Sequence, residues 1–256
     1  MTAQAIKTPL ERIQLLRRLF LQEHNCQIRY NAVHERDWSD SYLLLIDDVE
    51  VGYGSVNAQD IRGTRETIFE YYLVPHVRNH ANLLFRELIL ASGATLIESQ
   101  SNVPLLTAML HEFSENIGAP VVLFEDHQVT DYTIPGIIFR MLGEEEKVYN
   151  QDPGKYVLEL NGEVIANGGF LLHYNMPFAD LFMDVKEEYR RRGYGSYLLQ
   201  EVKKQCYLAG RIPAARCNVS NPASKATLLK AGLKVAGHML IGYVKKDLLT
   251  FNHDHR

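Results

Sequence analysis

At 256 residues the chain is longer than one ordinary domain requires and suits two small ones. Its 46% hydrophobic and 23% charged residues fit a globular protein that can bury a core, while a formal net charge of −4 gives no basic footprint and argues against a nucleic-acid partner. No run approaches the roughly 20 apolar residues that cross a bilayer, so no membrane segment is expected.

The N-terminal stretch MTAQAIKTPLERIQLLRRLFLQEH carries charges through its apolar residues. Ile13, Leu16 and Phe20 share one helical face, which predicts a surface amphipathic helix and not a signal peptide. Residues 42–47 and 49–56 read as strands around a tight turn at Asp47-Asp48. A strand over 67–74, a helix near 83–91, a strand over 95–99, a helix from Pro104 to about Phe113 and a strand over 121–125 follow.

The second half repeats this order. Residues 155–160 and 163–172 form a hairpin across Asn161-Gly162, a dipeptide suited to the positive φ angles of a tight turn. A strand over 180–185 leads to a helix from Gly195 to about Leu208, with Leu198, Val202 and Cys206 spaced four apart on one face. A strand over 214–219 leads to a helix over 222–231, marked by Asn221 as N-cap, Pro222 in the first turn and Gly232 past the end.

Val51 matches Val164, and Asn102 matches Asn221, which points to a duplication. The expected domains are 1–130 and 131–256, joined near residues 130–150, with the charged, turn-rich stretch GEEEKVYNQDPGK as a surface connection. The competing reading is two unrelated α/β domains that share an order by chance. The cysteines, Cys26, Cys206 and Cys217, are odd in number and unpatterned, so neither a disulfide framework nor a zinc site is expected. A reducing cytoplasm is the expected setting. Cys206 on a helix face and Cys217 in a strand read as buried small hydrophobes.

The strand DLFMDV runs into KEEYRRRGYG and then into the helix that begins SYLLQEV. Glycines let the backbone approach a ligand, and the first amides of a helix lack partners within it. With the positive end of the helix dipole they favour phosphate. Three arginines add charge beside that nest. No Gly-Lys-Ser/Thr follows, so this is not a Walker loop. The third glycine of a dinucleotide fingerprint is missing too, and a hairpin stands where a βαβ unit would be needed.

Arg190-x-x-Gly193-x-Gly195, preceded by Val185 and followed by Leu198-Leu199, resembles the coenzyme A signature of the GNAT superfamily of N-acetyltransferases. Asn221, seven residues before Leu228 and eleven before Gly232-Leu233, resembles that family's second motif, with Leu233 where phenylalanine is usual. The resemblance covers about residues 155–245. It implies an α/β fold: tandem GNAT-like domains, the first degenerate, each a mixed, mainly antiparallel sheet flanked by helices.

The resemblance also implies a donor, acetyl-coenzyme A, and a site. Amides of Arg191, Arg192, Gly193, Tyr194, Gly195 and Ser196 would hold the pyrophosphate, with Arg190, Arg191 and Arg192 contributing charge. Met183 and Val185 would pair with the pantetheine arm through free backbone groups. The amide of Val185 would polarise the thioester carbonyl, and Asn221 would touch the arm from the other side, with Ser224 close by.

The family often supplies a tyrosine acid seven residues after the motif asparagine. Here that position is Leu228, so Ser224, Tyr194 or a water would serve, or the thiolate would leave unaided. Asp180 is the expected general base; the competing reading is an aspartate that caps a turn. Asp184 faces away from Met183 and Val185. His173, Tyr174 and Asn175 lie in the loop where an acceptor could enter, and Tyr243 near the last strand has similar standing.

The counterpart loop in the first half, His76 to Asn82, has no glycine, so that half is not expected to bind coenzyme A. Its helix, with Leu83, Leu84, Phe85, Leu88, Ile89 and Leu90, is apolar nearly all round, which suits burial against a partner domain or a second subunit, as in a homodimer. The expected activity is transfer of an acetyl group to a small amine or a protein amino group. Two alternatives are a non-catalytic acyl-coenzyme A-binding module and a transferase using another acyl donor such as an aminoacyl group.

Overall fold

The computed structural model of the chain describes residues 1–23, 30–58, 63–146, 148–150 and 153–249. Cys26 lies outside the described residues. The chain divides into two compact units, Met1–Val121 with the segment from Gly237 onward, and Val122–Ala236. Each is a mixed, mostly antiparallel sheet with helices against it.

The first unit opens with β1 (Ala3–Thr8), α1 (Leu10–Glu23) and α2 (Tyr30–Glu35), then the meander β2 (Ser39–Ile46), β3 (Val49–Asn57) and β4 (Thr67–Leu73). The N-terminal stretch is therefore not helical throughout. Pro9 holds Thr8 extended, and β1 pairs antiparallel with β2, Ala3 opposite Ile46 and Thr8 opposite Ser41. Ile13 and Phe20 of α1 are fully buried. Asp47 and Asp48 take φ of 46° and 65°, the left-handed values a two-residue hairpin turn requires.

After β4 come α3 (Ala81–Ser92), β5 (Leu96–Gln100), α4 (Pro104–Phe113) and β6 (Ser114–Asp126), which starts directly at the end of α4, well before the expected residue 121. Strand order is β1-β2-β3-β4-β5, closed by β12 (Leu233–Val244), whose Met239 to Tyr243 pair antiparallel with Gln100 to Leu96. α7 (Lys246–Leu249) follows β12. α3 buries Leu84, Phe85, Leu88 and Ile89 in the core of its own unit and leaves Leu83 exposed.

Inside this unit Glu70 is fully buried, and its carboxylate accepts from Arg17 Nη2 at 3.0 Å and Tyr53 Oη at 3.1 Å and lies 3.1 Å from His34 Nε2. Burial alone would push Glu70 up, but Arg17 and His34 outweigh it and hold the carboxyl at about 2. The four side chains thus tie α1, α2, β3 and β4 together through one charge-compensated centre.

The second unit takes the part of β6 from Val122, then β7 (Ile137–Met141), β8 (Tyr156–Leu160), β9 (Glu163–Leu171), β10 (Phe178–Val185), α5 (Tyr194–Leu208), β11 (Ile212–Asn218) and α6 (Pro222–Lys230). Strand order runs β6-β11-β10-β9-β8-β7. β7, which the hydrophobic pattern does not predict, pairs antiparallel with β8. Leu158, Ile165, Leu181, Leu198, Val202, Cys206 and Leu228 form the core. Cys206 and Cys217 are buried, and burial pushes the Cys206 thiol up to about 11, so it behaves as a small hydrophobe.

Candidate active site

The site begins at a fork. β10 and β11 run parallel, but they pair only from Phe178 opposite Ile212 to Asp180 opposite Ala214. Beyond Asp180, β10 stays paired only with β9 on its other side. Lys186 N–H donates to the Ile165 carbonyl at 2.9 Å, which sets the alternation of that ladder. Leu181, Met183 and Val185 therefore turn their backbone groups away from β9, into the opening of the fork.

β10 then passes through a short 3₁₀ turn into α5. Arg190 donates through Nε to the Val185 carbonyl at 2.9 Å and lies 3.5 Å from Asp184, so its guanidinium ties the loop to the strand. Arg191 has φ of 62° and Gly193, the N-cap of α5, φ of 88°; two left-handed residues fold the loop so that the first amides of α5 face outward. A Cβ at Gly195 would lie 3.2 Å from the sulfur of Met183 and 3.2 Å from Thr227 Cγ2, which leaves no slack for a larger residue. Arg192 stacks over the Tyr189 ring at 5.7 Å, on the exposed side of the loop.

α6 forms the facing wall. Asn221 caps it, its Oδ1 accepting from Ser224 N–H at 3.0 Å. Ala223, Ser224, Ala226, Thr227 and Lys230 line the pocket, and Leu228 points the other way, 4% exposed in the core. With leucine there, position 228 offers the pocket no proton donor. Lys230 reaches over Gly193, its Nζ 3.4 Å from where a Cβ would be, and sits 5.4 Å from the ring of Tyr132. Tyr132 is itself fixed by Gln200, which exchanges hydrogen bonds with its backbone N–H at 3.0 Å and carbonyl at 2.9 Å.

The resulting cavity is about 740 Å³. It gathers Met183, Val185, Arg190, Arg191, Gly193, Tyr194, Gly195, Ser196, Asn221 and Ser224 from the residues read in the sequence, and leaves out Arg192 and Asp180. Lys230, Thr227 and Tyr189 were not singled out in the sequence. Their only signal was the helical phase of α6 and the turn before the arginines, neither of which identifies a pocket until the strands fork.

Asp180 stands at the vertex of that fork, on the face of β10 that it shares with Phe182 and Asp184. It is 6% exposed, and its Oδ2 accepts from Arg216 Nε at 3.1 Å, while Oδ1 has no hydrogen-bond partner. Burial pushes the carboxyl above its ordinary value, with Arg216 and then Tyr174 pulling the other way. Arg216 also donates through Nη2 to Tyr174 Oη at 2.8 Å, and the Tyr174 ring stacks on His173 at 4.8 Å. Of the loop residues read as acceptor contacts, Tyr174 thus reaches Arg216, the partner of Asp180, and His173 stacks on Tyr174. Tyr243 lies in the first unit, 59% exposed.

The first unit has corresponding positions held by larger side chains. Gly54 pairs with Tyr71 and meets Leu88, as Gly168 pairs with Met183 and meets Leu198. Three residues before Leu198 stands Gly195; three before Leu88 stands Phe85. The Phe85 ring lies 4.8 Å from that of Tyr71, whose hydroxyl donates to the Ala81 carbonyl at 2.7 Å. Aromatic rings thus stand in the first unit at the positions that glycine and methionine hold in the second.

The chain thus holds two α/β units of one design, of which one has a glycine-led helix N-terminus beside a forked strand pair. Residues 122–233 match the model of the acetyltransferase (GNAT) family, and that segment is a GNAT domain. Enzymes of this family transfer an acyl group from coenzyme A to an amine.

A GNAT-family acetyltransferase from Colwellia psychrerythraea matches at a TM-score of 0.74 and 14% identity over 96% of this chain and 100% of its own. A tandem GNAT protein from the clavulanic acid biosynthesis pathway matches at 0.59 and 10%, over 94% and 98%. A GCN5-related N-acetyltransferase from Sphaerobacter thermophilus matches at 0.54 and 13%, over 94% and 95%. At such identities the likeness is one of fold. No curated protein sequence matches the chain at a significant level.

Proposed function

We propose that the second unit binds acetyl-coenzyme A in the cavity between β10, α5 and α6 and transfers its acetyl group to a primary amine, of a small molecule or of a protein. The observation that carries this reading is the fork: an open β10 edge that leads into a left-handed, glycine-capped helix N-terminus. The cradle fits the donor. The amides from Arg191 to Ser196 offer a nest for the pyrophosphate, Arg191 and Lys230 supply charge from its two sides, and Gly195 keeps it free of side chain. Arg192 faces out, and Arg190 serves by shaping the loop. The open amides of Met183 and Val185 hold the arm and polarise the thioester carbonyl, with Asn221 and Ser224 on the opposite wall.

In the transfer, Asp180 takes a proton from the acceptor's ammonium group. The amine nitrogen then bonds to the acyl carbon, the carbon–sulfur bond breaks, and the thiolate leaves with the electron pair. The second proton that the nitrogen sheds as the amide forms ends on that thiolate, relayed through Ser224, the hydroxyl on the α6 wall, which gives one proton and takes the other. No described helix is long and apolar enough to cross a membrane, and a reducing cytoplasm suits the buried Cys206 and Cys217 thiols.

The test is calorimetric titration with acetyl-coenzyme A, followed by a thiol-release assay over a panel of amines. Binding with turnover on at least one amine is expected. Absence of binding would sink the reading. Binding without any turnover would favour a non-catalytic acyl-coenzyme A module, to which the burial of Leu228 gives some support.

A further inference from the structure

Asp180 is nearly buried, yet one of its two oxygens is left without a partner at the point where β10 and β11 part. A buried carboxylate oxygen without a donor costs free energy, and such atoms in folded proteins call for an explanation. The other oxygen is fixed. Arg216, on the adjacent strand, grips Oδ2 through Nε, and its Nη2 is in turn anchored on the Tyr174 hydroxyl with the Tyr174 ring 5.6 Å from the guanidinium carbon.

From this arrangement we infer that Arg216 is a positioning residue, braced by Tyr174, that immobilises one oxygen of Asp180 and leaves the other aimed at the acceptor's ammonium group. The inference rests on the acyltransferase reading and on Asp180 as its base. The charged and titratable groups set against Asp180 are Arg216 from β11 and Tyr174 from the β9–β10 loop. His173 stacks on the Tyr174 ring, and Asp184, the next acid on β10, is tied to Arg190.

The geometry serves two ends. A carboxylate at a dry vertex would otherwise take up a proton and cease to be a base, and the guanidinium favours its charged form. A guanidinium gripping from one side also fixes the carboxylate plane, so the free oxygen keeps a single direction. The proton that leaves the ammonium nitrogen ends on Oδ1, and Arg216 neither gains nor loses one.

The test uses the full chain in wild-type form and as Arg216→Lys, Arg216→Met, Tyr174→Phe and Asp180→Asn. Two readouts are followed: the ¹³C carboxyl titration of Asp180, and the acid limb of kcat/KM with acetyl-coenzyme A and an alkylamine that the wild type accepts. In Arg216→Met, both the carboxyl titration and the acid limb move to higher pH by about one unit or more. Arg216→Lys restores most of that shift, because a cation returns. Tyr174→Phe moves them the same way by less, and keeps the inference open to test should Arg216→Met fail to fold.

An unmoved acid limb and carboxyl titration in both Arg216→Met and Tyr174→Phe would overturn the inference while leaving Asp180 as base. Wild-type rate and acid limb in Asp180→Asn would instead remove Asp180 from the mechanism, and the inference with it. Lack of acetyl-coenzyme A binding in the wild type is the separate failure of the acyltransferase reading, visible before any variant is made.

Discussion

Arg190 donates through Nε to the carbonyl of Val185, five residues behind it, at 2.9 Å. In the first unit Arg78 makes the same bond to the carbonyl of Leu73, also five residues behind, at 3.1 Å. One arginine thus shapes the strand-to-helix turn in both units, although only one turn carries glycines. The bond belongs to the common architecture; the two turns differ in the residues that come after the arginine.

This comparison separates two arginine variants. Arg190→Met loosens the loop that presents the nest, and is expected to raise KM for acetyl-coenzyme A about tenfold or more with kcat less affected. Arg78→Met leaves KM unchanged and acts on stability, since Arg78 also pairs with Glu23 at 2.6 Å. Steady-state kinetics and thermal melts on both variants check the contrast. Equal effects on KM would show that the loop assignment is wrong.

Gly195→Phe would install in the second unit the ring that Phe85 places in the first. Met183 and Thr227 already stand at 3.2 Å from a Cβ there, so the new ring must occupy the cavity mouth. Loss of coenzyme A binding by calorimetry is expected, with an unchanged circular dichroism spectrum. Retained affinity would place the donor elsewhere.

Lys230→Met removes the cation that faces the nest from α6. The expected outcome is weaker coenzyme A binding and a shallower dependence of affinity on salt, because a partly exposed point charge acts through screened electrostatics. Titrations at low and high ionic strength measure both. Identical salt slopes for variant and wild type would take Lys230 out of the phosphate site.

Asp180→Asn is expected to lower kcat/KM by about 10²- to 10⁴-fold, the usual worth of a general base, without weakening donor binding. It also has a stability signature. Burial raises the Asp180 carboxyl in the folded protein, so its contribution to stability is full below the ordinary carboxylate range and is lost as pH rises through the folded value. The melting temperature of Asp180→Asn relative to wild type should therefore climb as pH rises above the ordinary carboxylate range. A flat difference would argue that Asp180 is solvated.

Glu70 has the opposite sign. Held at about 2 in the folded state, it contributes stability above the ordinary carboxylate range that is lost as pH falls toward that value. Glu70→Gln leaves Arg17 buried without its counter-charge and should cost about 3–5 kcal/mol, read from denaturant unfolding at pH 7. The penalty should shrink in acid.

The hairpin at Asn161-Gly162, the Asn221 cap and the glycine nest are legible in the sequence because turns, caps and left-handed residues are local: a few neighbouring φ and ψ values decide them. The repeated element order is legible for the same reason, through hydrophobic period. β1 reads as helix in the sequence because Pro9 divides a stretch whose charges suit either form, and only pairing with β2 selects the strand. Where the last strand belongs is likewise a matter of distant partners: Met239 to Tyr243 find β5, more than a hundred residues earlier, in the first unit. The Arg190–Gly195 loop reads as an anion site from its own sequence. That Arg190 is spent on the Val185 carbonyl, that Lys230 stands over Gly193, that Leu228 turns inward and that Arg216 meets Asp180 were decided by tertiary structure, because each joins residues whose distance in space bears no relation to their spacing along the chain.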